Sequence, residues 1–257
     1  MRYFIRLSFL GTRYSGWQIQ QNAPSVQAEV TKALSLLLGE SVSVYGAGRT
    51  DSGVHAIYYV AHFDTKMDIA KNATAWRYKL NAILPPDICV QAVSEVSEEA
   101  HARYNALSRT YLYYIHGNKN PFIEPFSTFC PFELNIDFMN RAAALLLGVH
   151  DFSSFAKLHG GSNTNICTVY EAIWSIPEPC LPIMAGEGQL VFTITANRFL
   201  RNMVRAIVGT LIEVGRGKIQ PEEIGAVLEK KERNAAGASA PAQGLYLYKI
   251  AYPYTVY

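Results

Sequence analysis

The run VSVYGAGRTDSGVHAIYYVAHF, residues 42–63, decides how the first half of this chain folds. Its two arms, Val42–Tyr45 and Val54–Phe63, are rich in β-branched and aromatic residues and read as strands. Between them lies a loop with Gly46, Gly48 and Gly53, which presents one carboxylate, Asp51. Arg49 stands two residues before Asp51 and His55 four after it. Glycine permits positive φ and a close approach of backbone to a ligand, and loops held by a rigid scaffold are where functional side chains concentrate. Thr50-Asp51-Ser52-Gly53 is also ordinary turn chemistry, and on local chemistry alone a turn is the simpler reading. Two nucleotide-loop readings fail. No Gly-Lys-Ser/Thr end forms a phosphate-binding P-loop, and Asp51 stands where a dinucleotide fingerprint needs its third glycine.

Upstream of the hairpin, Tyr3, Ile5, Leu7 and Phe9 alternate with Arg6 and Ser8, as in a half-buried strand. Residues 11–22 form a polar loop with Arg13, Tyr14, Trp17, Gln18 and Gln20, a set suited to unpaired RNA bases if exposed. Trp17 by itself fits a plug in the core. Ser25 is placed to cap a helix through Val26, Val30, Leu34, Leu37 and Leu38, which Gly39 stops. Downstream, Asp68 is expected to cap a helix carrying Ala73, Trp76, Leu80 and Ile83, ended by Pro85-Pro86. A strand over Ile88–Val96 follows. Strand, helix, strand, strand, helix, strand is an α+β series of split-βαβ type.

The polar joint at Glu95–Glu99 divides the chain into residues 1–98 and 99–257. In the second part Tyr111 and Tyr113 share one face of a strand, with Leu112 and Tyr114 on the other. Asp137 is expected to cap a helix, the glycine- and asparagine-rich stretch His159–Asn165 to be a mobile loop, and strands to run near Cys167–Ile176 and Leu190–Ala196. Helices are expected over Phe199–Val214 and Pro221–Lys231, and a last strand over Leu245–Tyr252. Arg198, Arg201 and Arg205 fall at helical spacing along one stripe, which Gly209 continues, so something can pack closely there.

Composition sets limits. Hydrophobic residues make up 49% of 257, enough for a sizeable core in one or two domains. The net charge is only +2, so any basic surface must be a local patch. Cys89, Cys130, Cys167 and Cys180 are scattered without a Cys-x-x-Cys pair; they suit a reducing cytosol and give no zinc pattern. No apolar run is long enough to span a membrane. Arg2 ahead of apolar residues is a faint leader pattern, interrupted by Arg6.

The block Gly48-Arg49-Thr50-Asp51-Ser52-Gly53-Val54-His55-Ala56 resembles the signature of the tRNA pseudouridine synthase A (TruA) family, with Ser52 in place of an alanine. Other blocks resemble that family in order: Tyr14–Gln20, His101–Tyr113, Gly148–Phe155, Met203–Gly209 and Ala240–Leu247. The resemblance implies two RRM/ferredoxin-like halves with mainly antiparallel sheets and helices on one face, and an active-site cleft between them. It implies a cytoplasmic homodimer that isomerises uridine to pseudouridine at positions 38, 39 and 40 of the tRNA anticodon stem-loop, with no cofactor and no metal. It carries the catalytic role to Asp51. The same resemblance implies that Tyr111 packs on the target base and assists proton removal at C5, that Leu245 walls the pocket and that Arg205 reaches the aspartate. Arg49 is suited to fill the gap left by a flipped base or to hold its phosphate. Cys167 stands where arginine is common, and Arg201-Asn202 where a tyrosine–histidine pair is common; both changes bear on RNA grip.

The chemistry asks for little else. Breaking N1–C1′ and forming C5–C1′ transfers no electrons and no group, so an ionised carboxylate and a pocket for the freed base suffice. Whether the carboxylate attacks C1′ or removes a proton to give a glycal-like species is open. Either route needs the uridine flipped out of its stack. A non-catalytic RNA-binding protein with two RRM-like halves is the alternative; it has no need of a glycine-flanked aspartate. A glycoside hydrolase would want a second acid, and Asp151, the nearest candidate, reads as a capping residue.

Overall fold

The computed structural model describes residues 1–158, 160–161, 163–178 and 188–256. Cys180, and two residues of the loop expected at His159–Asn165, lie outside them. Contacts group the chain into two units. Unit 1 is Met1–Ser108 with Leu247–Tyr257, and unit 2 is Arg109–Tyr246. The changeover thus falls later than the polar joint at 95–99, and the C-terminal strand returns to unit 1.

Unit 1 is built on β1 (Arg2–Phe9), β3 (His55–Asp64) and β4 (Ile88–Val96). β1 pairs antiparallel with both others, Tyr3 opposite Phe63 and Glu95. β2 (Val44–Gly46) pairs antiparallel with the far end of β3, placing Tyr45 opposite His62. The end of β10 (Leu245–Ala251) adds beside β3. Tyr3, Ile5, Leu7 and Phe9 are buried as their alternation predicts, and Phe4 on the opposite face is covered by Tyr252 and Tyr254. Helix α1 (Val26–Leu38) starts where Ser25 Oγ accepts from the Ala28 N–H at 3.3 Å, and stops at Gly39, φ +67°. Helix α2 (Ala73–Ile83) gives way to extended backbone at Leu84, ahead of the two prolines. Asp68 does not cap α2; its carboxylate accepts from backbone N–H groups of the single turn before it and pairs with Lys71 at 2.8 Å.

Unit 2 carries β5 (Ser108–His116), β9 (Leu190–Ala196), β8 (Ile166–Ser175) and β7 (Gly148–Asp151), antiparallel in that order. A short β6 (Thr128–Phe129) runs parallel to β5. Its helices are α3 (Ile136–Ala144), α4 (Met203–Gly215) and α5 (Glu223–Lys230). Asn135, not Asp137, caps α3: its Oδ1 accepts from Phe138 N–H at 3.0 Å, and Asp137 lies inside the first turn. α4 begins four residues later than expected, because Asn202 sits at φ +66° and breaks the helical path. Arg198 and Arg201 therefore precede the helix, and the expected three-arginine stripe does not form. Architecturally the described chain is α+β with largely antiparallel pairing.

Unit 1 buries His62 at 2% exposure. Burial, together with positive charge on His101 when it is protonated and on Arg2, pushes its imidazole down to about 4. Between that value and the ordinary 6.5, the unfolded chain binds a proton that the folded chain refuses, so stability rises with pH in this window. On acidification from pH 6.5 to 4, each tenfold rise in proton concentration should cost on the order of 1.4 kcal/mol. Carboxylates held low, such as Asp64 beside Arg2, act only below that window. A melting temperature flat from pH 6.5 to 4 would contradict this placement of His62.

Candidate functional site

Asp51 lies on the loop from Ala47 to Val54, which leaves β2 and enters β3. The loop is pinned at nearly every residue. Ala47 N–H donates to Val60 O at 2.8 Å and Val54 N–H to Asp51 O at 3.2 Å. The Tyr59 hydroxyl donates to Gly48 O at 2.5 Å. From the other side the segment 11–18 clamps it. Trp17 N–H donates to Thr50 Oγ1 at 3.0 Å, and Gly53 N–H and Ser52 Oγ both donate to Tyr14 O at 3.2 Å. Arg49 is exposed, and its Nε donates to Gln18 Oε1 at 2.7 Å.

Glycines make this clamp possible. A Cβ on Gly16, at φ +91°, would stand 2.2 Å from Thr50 O; one on Gly46 would stand 2.2 Å from the Tyr59 hydroxyl and 2.4 Å from Trp17 Nε1. The segment 11–22 suits unpaired bases only where its aromatics are exposed, and Tyr14 and Trp17 are buried. Trp17 is the core plug that its sequence fits: it is 3% exposed and stacks on Tyr59 at 4.2 Å between centroids. Tyr14 is also buried, and its hydroxyl donates to Asp87 Oδ1 at 2.8 Å beside Arg13. These rings are the scaffold of the Asp51 loop. Gly16→Ala should accordingly lower melting temperature and turnover together, since it adds both strain of roughly 1–3 kcal/mol and a clash with the loop backbone. Full activity at unchanged stability would show that the clamp does not govern Asp51.

Tyr111, Arg205 and Leu245 belong to unit 2. Tyr111, in β5, meets Phe199 edge to face at 5.1 Å. Arg205, in the first turn of α4, donates through Nε to Ala240 O at 2.7 Å, while Ala240 N–H donates back to Arg205 O at 2.9 Å. Next along that segment, Pro241 O accepts from the buried Tyr113 hydroxyl at 2.8 Å, and Gly244 backs onto Tyr113. Buried Leu245 follows. The segment 238–245 thus ties Arg205 and Leu245 to one strip of α4 and β5. The close approach expected at Gly209 is there: a Cβ would stand 1.8 Å from Ala238 O. Sequence reasoning missed Tyr59, Thr50 and Ala240; the glycines at 16, 46 and 209 were the signals that could have pointed to them.

Asp151 is a structural group. Its Oδ1 accepts from Ser153 N–H at 3.0 Å and Oγ at 2.6 Å, and Lys231 lies 3.3 Å from Oδ2. Ser153 and Lys231 hold the carboxyl below the ordinary range. Among the described residues no group of three His, Cys, Asp or Glu side chains is placed to hold a metal, and no helix is long and apolar enough to cross a membrane.

Comparison with known proteins decides the family. A family model described as tRNA pseudouridine synthase matches residues 7–105 and 142–253. The chain belongs to the tRNA pseudouridine synthase A family. The tRNA pseudouridine synthase A of Porphyromonas gingivalis is 49% identical over 252 residues, 98% of this chain and 97% of that protein. That of Bacteroides thetaiotaomicron is 49% identical over 257 residues, 100% of this chain and 92% of that protein. Such end-to-end similarity places the Asp51 loop and the Arg205 helix both within the part shared with tRNA pseudouridine synthases.

Proposed function

We propose that this chain isomerises uridine to pseudouridine in tRNA, at positions 38, 39 and 40 of the anticodon stem-loop. The observation that carries the reading is membership of the family across both matched segments, with Asp51 on a loop whose backbone is fixed from two sides. The target uridine leaves its stack at a cost of a few kcal/mol. The Asp51 carboxylate acts at the sugar C1′ or its neighbouring proton, and the N1–C1′ bond breaks. The uracil turns within the pocket and C5 bonds to C1′. The C5 hydrogen is then lost and N1 gains one, so the product is an isomer. Tyr111 packs on the base and Leu245 walls it. Arg49 contacts the phosphate or fills the gap in the stack. Arg205 orients the carboxylate through its guanidinium fork, and each half is of RRM-like type. The enzyme works in the cytoplasm as a homodimer, one tRNA touching both subunits.

Incubation of a tRNA transcript with the protein tests this. Pseudouridine at positions 38–40 is the expected product; unchanged RNA would favour a binding protein, and free uracil a hydrolase. Affinity for tRNA should also fall steeply with salt although the net charge is only +2, because each phosphate neutralised by arginine or lysine releases counterions. A flat salt titration would remove the phosphate-contact part of the reading.

A further inference from the structure

Beside the Asp51 hairpin, unit 1 carries a row of rings that the proposed reaction leaves unused. Tyr45 stacks on His62 at 5.1 Å and 20° between planes. His62 meets His101 at 4.5 Å, and His101 meets Tyr104 at 4.3 Å. The Arg103 guanidinium lies 5.7 Å from the Tyr104 ring centre. The inner rings are tethered. His62 Nδ1 accepts from Ala102 N–H at 3.3 Å, and His101 Nδ1 accepts from Arg103 and Tyr104 N–H at 3.1 and 3.4 Å. His101 N–H itself donates to Asn105 Oδ1 at 2.6 Å. These bonds use Nδ1 as an acceptor, so both imidazoles are neutral with the proton on Nε2. The outer rings are open: Tyr45 is 52% exposed and Tyr104 75%.

A packed aromatic cluster normally covers its rings. This one fixes its middle and leaves both ends in water, with a cation over one of them. Tyr45 also lies on β2, directly before the loop that carries Asp51. Sequence-tolerant binding of unpaired nucleotides uses this combination of rigid aromatic faces and guanidinium charge.

We infer that Tyr45, Tyr104 and Arg103 form a stacking platform for unpaired nucleotides of the RNA substrate, outside the pocket of the reacting base. The inference deepens the proposed function and rests on RNA being the substrate. The platform contributes affinity, not chemistry: Tyr45 and Tyr104 stack on bases, and Arg103 meets a phosphate or a base face. Its natural occupants are nucleotides flanking the target in a loop, where bases are already unpaired.

The test measures binding and turnover separately in the full-length protein. Tyr45→Ala and Tyr104→Ala should each weaken affinity for a tRNA transcript by about tenfold, with kcat at saturating tRNA unchanged. Tyr104→Phe should bind as the wild type does, because the ring is kept. Arg103→Ala should weaken binding and reduce the salt slope by about one. Tyr104 is so exposed that loss of folding cannot explain its effect; equal melting temperatures check Tyr45. Unchanged affinity in both alanine variants would overturn the platform, as would a fall in kcat without a fall in affinity. A labelled single-stranded oligouridylate separates the two readings. If its binding drops in the alanine variants while the wild type forms no pseudouridine, the platform stands and the isomerase assignment fails. If pseudouridine forms normally and the oligouridylate is insensitive to both variants, the platform fails alone.

Discussion

Asp51→Asn is expected to abolish pseudouridine formation while leaving melting temperature and tRNA affinity close to wild type. The substitution keeps the size and shape of the side chain and removes only its charge. The loop that holds it is fixed by bonds from Tyr59, Trp17 and Tyr14 to loop residues other than the Asp51 side chain, so its path should survive. Both candidate routes, attack on C1′ or removal of a proton beside it, require a carboxylate there. An amide can do neither. Retention of even a tenth of the wild-type rate, about 1.4 kcal/mol in barrier, would be incompatible with Asp51 as the catalytic group.

Arg205→Ala should lose turnover by several powers of ten, the second large effect. Arg205 stands in the first turn of α4, with its guanidinium plane set by the Nε–H bond to Ala240 O at 2.7 Å. In the proposed reaction its guanidinium orients the Asp51 carboxylate. Each power of ten in rate corresponds to about 1.4 kcal/mol of barrier. Arg205→Lys should recover a fraction, because charge returns without the planar fork. Arg201→Ala should mainly weaken tRNA binding, since Arg201 is exposed and precedes the helix. Near-normal turnover in Arg205→Ala at unchanged melting temperature would remove Arg205 from the proposed reaction.

Local chemistry made much of the fold legible. Ser25 and Gly39 bound α1 because a cap acceptor and a left-handed terminus are single-residue properties. Pro85-Pro86 stopped α2 for the same kind of reason. What sequence did not show depended on distant partners. Tyr14 looks like an RNA-facing aromatic, yet its ring is buried and its hydroxyl donates to Asp87 Oδ1. Nothing local in Leu247–Ala251 says that it joins the first unit. Asn202 in a left-handed conformation is a tertiary choice: its Nδ2 donates to Ser239 Oγ at 2.6 Å, and that choice takes Arg198 and Arg201 off the helix. At the candidate site, the Asp51 block was readable as a glycine-flanked carboxylate, but its role came from resemblance to a family. The bonds that hold the loop came only from the structure.

The most direct measurement is release of hydrogen from uridine C5. A tRNA transcript carrying tritium at C5 of its uridines, incubated with the purified protein, should release tritium into water in step with pseudouridine appearing at positions 38–40. With Asp51→Asn it should release none, although the variant still binds the transcript. Tritium release by the asparagine variant at a rate near wild type, or none by the wild type under conditions where it binds tRNA, would contradict the account.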